Sequence, residues 1–144
     1  GFPQLLGIEP LPLPIPGKIE LADGWRLTAE WLNSGEFDLD EINANRDTWR
    51  IYVALTAADS LTVRPRLSGE RMHPLGLNGE RKLKEIMIDR KTPAHLRERW
   101  PIVATQDHTV WIVGHVMDER VRVISRAQHI VRLRCLPPGH HEAS

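Results

Sequence analysis

The segments "WRLTAEWL", "TWRIYVAL" and "HIVRLRCL" alternate apolar with polar residues. A period of two buries one face of a strand and cannot make the stripe of a helix. Between these segments the chain is broken by many of its eleven prolines, more than a helical bundle carries, because each removes a backbone donor and clashes with the preceding turn. The chain must therefore be β-rich or mixed. Its 144 residues suffice for one ordinary domain, or two small units sharing a core, and exclude a multidomain enzyme.

Strand phase predicts which side chains turn inward. In "KIELADGWRLTAEWL" a hairpin turning at Asp23-Gly24 puts Trp25, Leu27, Ala29 and Trp31 on one face and Arg26, Thr28 and Glu30 on the other. "TWRIYVAL" repeats this with Trp49, Ile51, Val53 and Leu55, and the acidic "NSGEFDLDEINANRD" before it reads as a loop. In "LTVRPRL", Leu61, Val63 and Leu67 face inward and Thr62, Arg64 and Arg66 outward, with Pro65 marking an edge or a bulge. "ERKLKEIMIDRK" spaces Leu83, Ile86, Met87 and Arg90 for a helix of about three turns. Thr92-Pro93 reads as an N-cap and first position of a second helix, ended by Pro101. "TVWIVGHV", "RVRVI" and "HIVRLRCL" return to strands, and the tail after Pro137-Pro138 is expected to be mobile.

The proline-alternating "LPLPIPG" near the start excludes a regular helix and reads as an extended linker or edge strand, so the chain looks as though it begins mid-protein. No apolar run approaches the roughly 20 residues that span a bilayer, which argues against a signal peptide or anchor. The single cysteine, Cys135, lies in an alternating strand, giving a buried inert thiol and a reduced, intracellular setting as the expectation.

The formal charge of zero conceals a division. Residues 1–60 carry 4 Lys and Arg against 10 Asp and Glu, whereas residues 61–134 carry 15 against 8. A net positive half raises the prospect of a polyanionic partner. Arg64-x-Arg66, Arg120-x-Arg122 and Arg132-x-Arg134 each place two guanidiniums on one side of a predicted strand, matched to phosphate oxygens. The competing reading makes them solvent-side residues whose stems cover apolar surface. Gly69, Gly76 and Gly79, beside Arg71, Lys82 and Lys84, likewise fit either a phosphate-approaching loop or plain turns, and the order of a nucleotide-binding P-loop is missing. The seven histidines lack metal-ligand spacing, and no nucleophile triad or zinc-protease motif occurs, so neither catalytic nor metal residues are assigned.

"LTVRPRLSGERMHPLGLNGERKLKEIMIDRKTPAHLRERWPIV", continued by "WIVGHVMDERVRV", resembles the C-terminal domain of bacterial tRNA(Ile)-lysidine synthetase. That family's R-P-R, G-[DE]-R, P-L-G, K-L-K, I-D and R-W-P elements follow in order. The resemblance implies an α+β fold, β-rich with a sandwich-like core and two short helices, similar to a domain of the phenylalanyl-tRNA synthetase β subunit. It divides the chain into an acidic connecting subdomain (1–60), a basic tRNA-recognition module (61–138) and a tail (139–144). By the same resemblance the parent enzyme is cytoplasmic and ligates lysine to the wobble cytidine of tRNA(Ile). ATP and Mg are expected only in its N-terminal catalytic domain, because the S-G-G-x-D-S loop is missing here. This chain is then a noncatalytic region without a cofactor of its own, with tRNA(Ile) and that catalytic domain as partners. Motif matching carries tRNA contact onto Arg64, Arg66, Arg71, Lys82, Lys84, Arg97 and Arg99, and Arg120, Arg122, Arg132 and Arg134 are additional candidates. The alternative is a structural or homodimerising module whose basic segment docks on acidic surface such as Glu36–Glu41, without RNA contact.

Overall fold

A computed structural model describes residues 1–33 and 35–140. In chain order its elements are β1 (Leu11–Leu13), β2 (Gly17–Glu20), β3 (Arg26–Leu32), α1 (Leu39–Ala44), β4 (Arg50–Leu55), β5 (Leu61–Arg64), β6 (Arg71–Met72) and β7 (Arg81–Lys82). There follow α2 (Leu83–Asp89), a 3-10 segment (Ala94–Arg99), β8 (Ile102–Ala104), β9 (Thr109–Ile112), β10 (Val116–Met117), a 3-10 turn (Glu119–Val121) and β11 (His129–Leu136).

Two antiparallel sheets, ordered β1-β5-β8-β9-β10 and β2-β3-β11-β4, pack face to face. The alternating residues supply the layer between them: Leu27 and Ala29 of β3, Ile51 and Val53 of β4, and Leu133 and Cys135 of β11 meet Leu61, Val63, Val103 and Trp111. Burial pushes the Cys135 thiol up to about 12, as befits an inert thiol. A third layer lies on the other side of the five-stranded sheet, where Ile102 and Ile112 cover Leu83, Ile86 and Met87 of α2, with Met72 and Trp100 beside them. At two turns α2 is too short to be stable alone. Its three buried side chains contribute roughly 2 kcal/mol each and hold it on the sheet. The expected α+β architecture with a sandwich core is thus present, and among the described residues no helix is long and apolar enough to cross a membrane.

Several local expectations are corrected. The acidic loop contains α1, because the Asp38 side chain accepts from the Asp40 N–H at 2.9 Å and caps it. β5 stops at Arg64 and lies between β1 and β8, so Pro65 ends an interior strand and Leu67 is exposed. Arg81 and Lys82 belong to a two-stranded ladder with Arg71 and Met72, which delays the helix to Leu83. Thr92 caps nothing: its hydroxyl lies 2.8 Å from Nε2 of His115, and the segment behind it is 3-10. "RVRVI" forms no strand, since the Asp118 carboxylate accepts from the Arg120 N–H and turns the chain into the 3-10 turn.

Three strand pairings cross residue 60. β1 pairs with β5, and β11 lies between β3 and β4, so one sheet edge comes from the first 60 residues and the centre of the other sheet from the last third. Of the expected tail, residues 141–144 lie outside the described residues.

Candidate nucleic-acid interface

Four of the predicted arginines are engaged by acids within the chain. Arg64 holds Glu70 with both terminal nitrogens, at 2.8 and 3.0 Å, and their side chains are only 14% and 8% exposed. The same carboxylate accepts from the Leu67 N–H and the Thr109 hydroxyl, so it ties β5, the following turn and β9 together. Arg120 forks onto the fully buried Asp118 at 2.9 Å, which also accepts from the His73 N–H. Arg132 and Arg134, on the outer face of the four-stranded sheet, converge on one Oε of Glu30 at 3.1 and 2.6 Å. Arg64 lies in the five-stranded sheet, Arg120 in a 3-10 turn, and Arg132 and Arg134 in the four-stranded sheet, so the three pairs do not share one sheet face. Arg97 and Arg99 are braces, donating to the carbonyls of Thr92 and Leu6 at 3.0 Å each.

These carboxylates make stability pH-dependent. Burial on its own would raise Glu70 and Asp118, but the bonds from Arg64, Thr109 and Leu67, and from Arg120 and His73, outweigh it and hold both below the usual carboxylate range. A depressed folded value means that the unfolded chain binds protons first on acidification. The stabilisation is complete above the ordinary values of 4.5 and 3.8, and is lost as pH falls through the lower folded values. Urea midpoints measured from about pH 6 to about pH 3 should fall steadily, and a flat profile would contradict the assignment.

Of the remaining candidate cations, Lys82 and Lys84 lie at the start of α2. Lys82 and Lys84 are exposed, and no hydrogen bond or ion pair among the described residues engages their side chains. Arg71 is half-exposed and reaches Glu80 only at 4.0 Å, with His73 Nε2 3.7 Å from the same acid, contacts that contribute little at the surface. Arg122 is exposed without a partner among the described residues, and Arg66 is half-buried with an unpartnered Nε. Gly69, Gly76 and Gly79 adopt left-handed φ with open space around them, as plain turns do.

α2 carries two exposed ridges of opposite kind. On one, Arg81 bonds Asp89 at 2.7 Å and approaches Glu85 at 3.8 Å, which neutralises it. On the other, Lys84 and Ile88 follow at i and i+4, with Ile88 45% exposed, and the exposed Lys91 lies beyond the helix at a left-handed φ of 60°. Sequence reasoning missed Ile88, although the i, i+4 spacing from Lys84 in "KEIMIDRK" contains it. It also placed the acids elsewhere: among the described residues, those that ion-pair with the basic segment are its own Glu70, Glu80, Glu85 and Asp89, not Glu36–Glu41.

Residues 61–135 match the family model described as "TilS substrate C-terminal domain". Among curated proteins, a tRNA(Ile)-lysidine synthase of Oceanobacillus iheyensis is 41% identical over 106 residues, covering 72% of this chain and 21% of that protein. One from Geobacillus kaustophilus is 36% identical over 103 residues, covering 71% of this chain and 21% of its own length. The chain thus spans about a fifth of the length of these relatives. A crystal structure of a TilS C-terminal domain superposes with a TM-score of 0.72 at 26% identity, over 90% of this chain and 96% of the other.

Proposed function

As this chain belongs to the TilS substrate C-terminal domain family, we propose that it is the noncatalytic tRNA-recognition region of a cytoplasmic tRNA(Ile)-lysidine synthetase. In this reading ATP, Mg and the ligation of lysine to the wobble cytidine belong to the catalytic domain of the same protein, and this region holds the tRNA for it. The observation that carries the reading is the asymmetry of α2: one ridge is neutralised by its own acids, while Lys84, with Lys82 at the helix start, stays exposed without an ion pair among the described residues. Lysines held on a strand and a helix present point charges to phosphates without paying for loop ordering. The rival reading, a structural module without RNA contact, gains from the internal pairing of Arg64, Arg120, Arg132 and Arg134, but it leaves that ridge without a task.

The expected result is that the chain binds tRNA with an affinity that falls steeply between about 50 and about 200 mM salt. In Lys82→Ala/Lys84→Ala, fluorescence anisotropy titrations should show weaker binding and a salt slope smaller by roughly 2. An unchanged slope in a folded double variant would reject these lysines as phosphate contacts.

A further inference from the structure

Trp25 and Trp49 form one wall of a cleft at the end of the four-stranded sheet, on the N-terminal side of β4. Their ring centroids are 5.6 Å apart with planes inclined at 37°, so they make a continuous aromatic surface and leave no slot between them. Leu136 and Pro137 complete the apolar lining, Arg50 and Arg134 add guanidiniums, and the volume of this open cleft is about 360 Å³. Both tryptophans are only half-buried, and no hydrogen bond among the described residues engages either indole N–H. The Asp47 carboxylate, also in the lining, uses one oxygen to accept from the Trp49 N–H at 2.9 Å and retains the capacity to accept from a ligand donor.

We propose that this cleft takes one unstacked base of single-stranded RNA against the Trp25–Trp49 wall, with the phosphate of that nucleotide at Arg50. The inference rests on the RNA reading above and narrows it, because it assigns an unpaired nucleotide to a place separate from the lysine ridge. Three features meet the demands of such a ligand. A base needs a flat apolar wall with open area beside it, and stacking on indole accepts any base. Its phosphate needs a cation not already neutralised; Arg50, the exposed first residue of β4, has no side-chain partner among the described residues, whereas Arg134 opposite it is held by Glu30. A base amino group or ribose hydroxyl needs an acceptor, which Asp47 supplies. Arg50 is thus the cation of this lining without an acid partner among the described residues, and it favours an occupant that carries a phosphate.

The test compares a short single-stranded oligoadenylate with a blunt RNA duplex, both titrated into the full chain and followed by tryptophan emission and anisotropy. The oligoadenylate is expected to quench emission, and Arg50→Glu to weaken its binding about tenfold while leaving duplex affinity unchanged. Trp25→Leu, shown to be folded by its thermal transition, should lose most of the quenching. The lysine double variant should show the reverse, with weakened duplex binding and intact quenching. Equal oligoadenylate affinity in wild type and Arg50→Glu, or undiminished quenching in Trp25→Leu, would overturn the proposal and leave the tRNA reading standing if the lysine variant still behaves as expected. Quenching by oligoadenylate with no binding of tRNA or duplex would keep the cleft and defeat the tRNA reading.

Discussion

Gly114→Ala should destabilise the fold by about 3 kcal/mol, lowering the thermal midpoint by roughly 10 °C for a chain of this size. Gly114 lies in the turn between β9 and β10 at φ 76°, and the benzo edge of Trp49 rests on it. A β-carbon there would lie 2.6, 2.7 and 2.8 Å from Cη2, Cζ3 and Cζ2 of that ring, well inside van der Waals contact. The ring has little freedom to retreat, because it packs against Trp25 and touches both the sandwich core and the core beneath α2. Two costs therefore add: the left-handed backbone, about 1 kcal/mol for alanine, and the overpacking, about 2 kcal/mol. Gly76 separates them. It has φ 87° with nothing within 4 Å of the β-carbon position, so Gly76→Ala should cost only the backbone share. Equal losses in the two variants, measured by urea denaturation, would show that the Trp49 contact adds nothing.

How much of this was legible in the sequence depended on how many faces of a strand are buried. β4 buries one face, so its alternation gave both the strand and its inward residues, and in β11 the same alternation gave the strand and the buried Cys135, although Ile130 and Leu136 at its ends are buried on the opposite side. β8 and β9 bury both faces, one in the sandwich and one beneath α2, so "PIVAT" and "TVWIV" run apolar without alternating and hid the third layer. α1 was legible in principle, since Asp38 followed by Glu41 is the spacing of a capping box, but the acidic composition masked it. The converse error befell "RVRVI", which alternates yet bends away from any sheet because Asp118 caps the turn before it.

The charged positions failed for a different reason. That Arg132 and Arg134 share a side of their strand followed from period two alone, but their partner did not. Glu30 lies opposite Arg132 only because β11 pairs with β3 in that register, across about a hundred residues of chain. Sequence counts give how many cations a segment has, and only the fold says which of them are already answered. Lys82 and Lys84 survive that subtraction and Arg64 does not, although motif matching ranked them alike.

Glu70→Ala is accordingly expected to be the most damaging change in the basic segment, at about 4 kcal/mol. It removes the partner of a guanidinium whose side chain is 14% exposed, and with it the acceptor for the Leu67 N–H and the Thr109 hydroxyl. Arg64 would keep only its bond to the Pro65 carbonyl at 3.1 Å, leaving an uncompensated charge against the sheet. Arg64→Met/Glu70→Leu should recover much of the loss, since exchanging both members of a buried pair for apolar groups removes the desolvation cost along with the attraction. A double-mutant cycle by urea denaturation would measure the coupling, and additive single losses would refute it. The same recovered variant decides what the R-P-R arginine is for. Unchanged tRNA affinity would give Arg64 a purely architectural task, fixing the turn from which Arg71 and Lys82 project. Weakened affinity would mean that Arg64 leaves Glu70 to meet a phosphate, a step in which RNA must compete with a carboxylate already held at 2.8 Å.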